Sequence, residues 1–237
     1  MAVNIKARLQ ASLTRDLLLD LVDMATARAH SAHELVRDHT DLKGRSARGL
    51  EGQARFRLLE RGFEDVCETH GGVAIASGVM PGTDLRFYQP FMRFGGSEPG
   101  VVLALASMPY AKELPVKNQS RLAGISLNRV LTPELDFGDA SPKPGDIFVL
   151  FLVARDSARA GKIEEMALGV IDSEYKTYLT YEIIEDFLTG YTTPEEPVGG
   201  DSGPQDGGAT LVRLKAKRGQ YRPAEEEAVE SDVENGE

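Results

Sequence analysis

The chain has no tryptophan, one cysteine and four histidines in 237 residues. A single cysteine can close no intramolecular disulfide and build no thiolate cluster, which excludes disulfide-stapled folds and cysteine-based zinc sites. Long apolar runs are missing too. The longest, residues 147–154, holds eight residues, where a membrane-spanning helix takes about twenty. Lys6, Arg8, Arg15 and Asp16 fall where a secretory signal needs an unbroken apolar stretch, so the expectation is a cytoplasmic protein without membrane attachment. Walker-type phosphate loops, the dinucleotide fingerprint and the Gly-x-Ser-x-Gly elbow are all absent, and no motif therefore names a cofactor.

What is present is an ordinary globular composition, 41% hydrophobic and 27% charged, carrying a net charge of -10 that is spread unevenly. Residues 193–208 hold four acids and no base, with three prolines and five glycines; residues 224–237 hold seven acids and no base. Both stretches lack the apolar side chains needed to offset ordering entropy, and they read as a flexible linker and a disordered acidic tail. Without them the remaining chain carries +1. Arginine outnumbers lysine 18 to 9, and arginine is the residue that grips phosphates and carboxylates bidentately.

Organisation follows from periodicity. Leu9, Leu13, Leu17, Leu21, Met24, Ala25, Ala29, Ala32 and Val36 recur at helical spacing, with Thr14 as a candidate cap beside a break near Ser12. Residues 41–49 read as a basic connection. Helical spacing then resumes through Leu50, Ala54, Leu58, Phe63 and Cys67 to the stop at Gly71 and Gly72. After that the texture turns to short β-prone runs at 73–77, 85–94 and 101–107, the second containing Pro90, which suits an edge or a bulge. Residues 109–145 look irregular. Three strands in meander order are expected at 147–153, 166–171 and 177–181, then a short helix at 183–188. The fold class this implies is α+β: an N-terminal helical pair (1–72) packed on a mostly antiparallel or mixed sheet (73–192). Beyond it come the acidic linker (193–208), one added strand (209–215) and the disordered tail (216–237).

The candidate chemistry is of three kinds. His30 and His33, one helical turn apart with Glu34 nearby, have metal-ligand spacing; a solvated polar helix face is the competing explanation. Asp146 at the head of the most apolar strand, followed by Glu174-Tyr175-Lys176, has the residue order of a metal-dependent nuclease-like enzyme, in which two carboxylates hold a metal and a lysine activates water. Glu174 and Lys176, however, fall in a polar turn where such a site needs a strand interior. The third kind is electrostatic. Arg45, Arg48, Arg55 and Arg57 form one basic patch, and Arg213, Lys215, Lys217 and Arg218 a second, within a segment (209–223) that holds no acid. These suit a non-enzymatic binding or regulatory module that contacts nucleic acid or a protein partner, with the acidic tail as an internal competitor.

Overall fold

The computed structural model describes residues 4–75, 78–80, 84–95, 99–131 and 145–191. The second basic patch, the acidic linker, the added strand and the tail lie outside these residues. No described helix is long and apolar enough to cross a membrane.

Three helices come first: α1 (Ile5–Ser12), α2 (Arg15–His39) and α3 (Gly44–Thr69). Thr14 caps α2, its hydroxyl accepting from the Leu17 N–H at 3.2 Å, and Asp16 in the first turn faces the positive end of the helix dipole. The connection expected over 41–49 is shorter than expected, because α3 starts at Gly44. Gly49 and Gly52 each disfavour a helix by about 1 kcal/mol against alanine, but antiparallel packing on α2 outweighs that cost. The two helices close in where Gly62 meets Met24; a Cβ there would sit 2.7 Å from the Met24 sulfur.

Six strands follow in sheet order β1 (Val73–Ala74), β2 (Phe91–Phe94), β3 (Val101–Met108), β4 (Ile147–Arg155), β5 (Ile163–Ile171) and β6 (Tyr178–Ile183). All neighbours are antiparallel except β3 and β4, which pair in parallel from Val101 opposite Ile147 to Met108 opposite Ala154. The expected meander of β4, β5 and β6 and the short helix after it, α5 (Ile184–Leu188), are both present. The described part of the run at 73–77 holds a two-residue strand, and the run at 85–94 is cut back to four residues. Pro90 explains the cut. It has no N–H for a ladder, and β2 begins directly after it as an interior strand, not an edge.

Parallel pairing demands a crossover, and the segment read as irregular supplies it: α4 (Gln119–Ile125), capped by the Asn118 side chain, runs into a 3₁₀ helix at Ser126–Leu131. The sheet is consequently covered on both sides. Odd-numbered residues of β3 and β4, such as Leu103, Leu105, Val149 and Phe151, pack with α1, α2, α3 and α5. Even-numbered ones, such as Ala104, Phe148, Leu150 and Leu152, pack with Ala123 and Ile125 of the crossover. Strands buried on both faces read as continuous apolar runs, as residues 147–154 do.

A buried polar side chain ties the crossover to the strand ends. Asn128, fully buried, accepts from Phe148 N–H at 2.8 Å and donates to the Phe148 and Ile171 carbonyls, both at 2.9 Å. Gly124 lets the crossover lie against the sheet, since a Cβ there would fall 2.2 Å from a Phe148 ring atom. Gly124→Ala is therefore expected to lower stability by about 1–3 kcal/mol through overpacking, measured as a drop in urea midpoint; an unchanged midpoint would show that the crossover does not seat on Phe148.

Candidate anion-binding cleft

The structure distributes the sequence candidates unevenly. Asp146 stands at the corner where β2, β3 and β4 meet. Its carboxylate accepts from Arg93 Nε at 2.7 Å and Nη2 at 3.2 Å and from the Gly100 N–H at 2.6 Å. Arg8 of α1 donates to the adjoining Gly145 carbonyl at 2.6 Å. This is a latch at a sheet corner. Burial by itself would raise the Asp146 pKa, but the Arg93 guanidinium and the Gly100 N–H together outweigh it and hold the carboxyl below its ordinary value.

Glu174 and Lys176 sit on the exposed turn between β5 and β6, paired with each other. Buried Asp172 organises that turn by accepting from the Glu174 N–H at 2.7 Å and the Thr177 N–H at 2.5 Å. Asp146 is thus bonded apart from Glu174 and Lys176, which pair with each other. His30 pairs with Glu34 at 3.2 Å, and His33 meets Glu51 of α3, also at 3.2 Å. Among the described residues, no group of three or more His, Cys, Asp or Glu side chains could hold a metal ion. The burial of Cys67 pushes its thiol pKa up, leaving the sulfur a small apolar filler of the core.

The first basic patch divides by helix face. At about 100° per residue, Arg48 and Arg55 fall on the stripe of α3 that also carries Leu59, Phe63 and Val66. Farther along α3 that stripe is buried against the core. Arg45 falls at the same angle as Phe63, about five turns before it, on the same side. Arg57 points the opposite way and is ion-paired with Glu60 at 3.0 Å, as Arg61 is with Asp65 at 3.2 Å. The inner arginines are differently placed. Arg55 lines a cleft of about 450 Å³ between α3 and the carboxyl ends of the parallel strands β3 and β4.

The walls of that cleft follow from strand alternation. Ser107 and Val153 are register partners, and with Arg155 they project toward the helical side of the sheet. Arg155 pairs with Ile163 across a bulge that leaves Glu164 as the extra residue of β5. Ser157, Met108, Pro109, Tyr110 and Val116 complete the lining. Arg55 and Arg155 are the only charged groups on it, and among the described residues neither has a salt-bridge partner. Burial and then the like charge of Arg155 lower the Arg55 pKa, with Glu51 offsetting part of the shift. Two guanidiniums that repel each other across an open cleft are what an incoming anion relieves. Position agrees with charge, since ligands of open sheets gather outside the carboxyl ends of parallel strands.

One wall is held by three tyrosines. Tyr175 Oη donates to the Pro115 carbonyl at 3.0 Å, Tyr178 Oη donates to the Glu113 carbonyl at 2.9 Å, and Tyr181 Oη accepts from the Lys112 N–H at 3.1 Å while bonded to Glu165 at 2.5 Å. A bulge in the pairing of β5 with β6 turns Tyr178 and Tyr181 to the same face, their rings edge to face at 4.9 Å. Buried Arg121 adds a bond to the Val116 carbonyl. The loop at 110–116 is thereby pinned, including Lys112 in a left-handed conformation at φ 66°.

No family model, curated protein or solved structure matches the chain, so the cleft is assigned by its own geometry alone. Sequence reasoning found Arg55 and missed Arg155. The available signal was an arginine closing an otherwise wholly apolar strand.

The corner latch yields a pH test. A carboxyl whose folded pKa is depressed adds stability above its unfolded value of about 3.9, and that contribution is lost as pH falls through the folded value. Asp146→Asn is expected to cost about 1.5–3 kcal/mol at pH 7 and markedly less at pH 3, read from urea unfolding; an equal cost at both pH values would contradict the latch.

Proposed function

We propose that the protein is a non-enzymatic, cytoplasmic binding module that holds a nucleic-acid backbone in the cleft between α3 and the ends of β3 and β4. The observation that carries this is the convergence of Arg55 and Arg155, from separate elements, on one open cleft with no acid in its lining. Guanidiniums bind phosphate oxygens in a bidentate fork. A strand of phosphates fits better than one small anion because the basic stripe continues away from the cleft. Arg45 and Arg55 are ten residues apart on α3, about 15 Å at 1.5 Å per residue, which is several phosphates long. Arg48 borders a second, open groove along that helix. Tyr110, 61% exposed at the cleft, offers a ring on which a base can stack.

A metal-dependent nuclease gains no comparable support, because the Asp146 carboxylate is taken up by Arg93 and Gly100 and Glu174 by Lys176. Binding through phosphates is salt-dependent, with a log–log slope of about -0.7 per contact for single strands. The double variant Arg55→Gln, Arg155→Gln is expected to bind a single-stranded oligonucleotide at least roughly tenfold more weakly at low salt and to show a shallower slope, by fluorescence anisotropy. Unchanged affinity and slope would overturn the proposal. A wild-type protein that binds inorganic phosphate but no oligonucleotide would reassign the cleft to a small anion.

A further inference from the structure

The sheet ends at β6, and no described strand pairs with its outer edge. A row of unpaired backbone donors and acceptors is a template for another strand. The edge is not packed shut. A groove of about 500 Å³ runs beside it, lined by Lys6, Lys112, Tyr181, Glu182, Ile183 and Asp186. In its lining Glu182 is paired with Lys6 at 2.5 Å, while Asp186 and its neighbour Glu185 place two acids in the first turn of α5.

We infer that residues 210–214 of the same chain, Thr-Leu-Val-Arg-Leu, add to this edge as a seventh strand. The segment has the composition of a strand, bounded by Gly207 and Gly208 on one side and Gly219 on the other. It lies within a stretch, 209–223, that carries five basic residues and no acid. That charge complements Glu185 and Asp186 of α5. Reach imposes no obstacle, because the 18 residues 192–209 after α5 can extend up to roughly 60 Å.

Direction follows from handedness. β6 points the same way as β4, since each is antiparallel to β5. The crossover from β3 to β4 passes over the face that holds Ala123 and Ile125, whereas α5, through Ile184 and Phe187, lies on the opposite face. A parallel seventh strand whose crossover kept to the face of α5 would have the opposite hand to that of β3 and β4. One hand dominates such connections in about 98% of cases. The added strand is accordingly antiparallel to β6, a connection with no such constraint.

The test is hydrogen exchange with mass-spectrometric readout on the full chain and on a variant whose residues 210–214 are replaced by alternating Gly and Ser. In the full chain, amides at 210–214 are expected to exchange at least about tenfold slower than an unstructured peptide. The replacement is expected to speed exchange within 178–183 while leaving α2 and β4 unchanged, which also shows that the variant is folded. Coil-rate exchange at 210–214, or no change within 178–183, overturns the inference. Light scattering on the same samples separates the remaining occupant: protection that appears only in a dimer and disappears on dilution assigns the edge to a second copy and equally overturns it.

Discussion

Parallel pairing of β3 with β4 is the constraint from which the rest of the molecule follows. Two neighbouring strands that run the same way cannot be joined by a hairpin, so the chain must leave the sheet and return across one of its faces. That return, through α4 and the 3₁₀ helix, buries one face, and the helical pair buries the other. Both strands then have to be apolar throughout. The same pairing brings two carboxyl ends side by side, and there the apolar pattern stops, at Ser107 and Arg155.

The two ends of the strand pair are treated in contrasting ways. At the amino ends, charge is consumed: Asp146 takes Arg93 and the Gly100 N–H, and Arg8 ties α1 to Gly145. At the carboxyl ends, charge is left open, with two arginines and no acid. A molecule that neutralises one corner so completely and leaves the other cationic and concave has separated structural from ligand-binding electrostatics. The tyrosine-pinned loop at 110–116 serves the open corner by fixing its outer wall, so that the guanidiniums meet an anion in a cleft already shaped.

The helical pair and the β4 to β6 meander were legible in the sequence because the helices repeat their apolar residues at three- and four-residue spacing and the strands are apolar runs set apart by short polar connections. Helix α4 was not, since seven residues with Ser120, Arg121 and Gly124 among them carry no such period; only the Asn118 cap marked it. The sign of the strand pairing was also hidden, because a buried strand looks the same whichever way its neighbour runs. For the site, composition located Arg55 within a basic patch, but only the fold separates it from Arg57, two residues away and turned to an ion pair with Glu60. Asp146 was picked out for catalysis by its place before a strand. The same place explains its actual bonding, because a strand end leaves the Gly100 N–H in need of an acceptor.

Nitrogen-15 NMR of the arginine side chains, recorded while a single-stranded oligonucleotide is added at low salt, tests the central claim most directly. The account expects the Nε–Hε signals of Arg55 and Arg155 to shift together and saturably, while those of Arg57 and Arg61, held by Glu60 and Asp65 away from the cleft, stay in place. Shifts confined to Arg57 and Arg61, or none at Arg55 and Arg155, would contradict it.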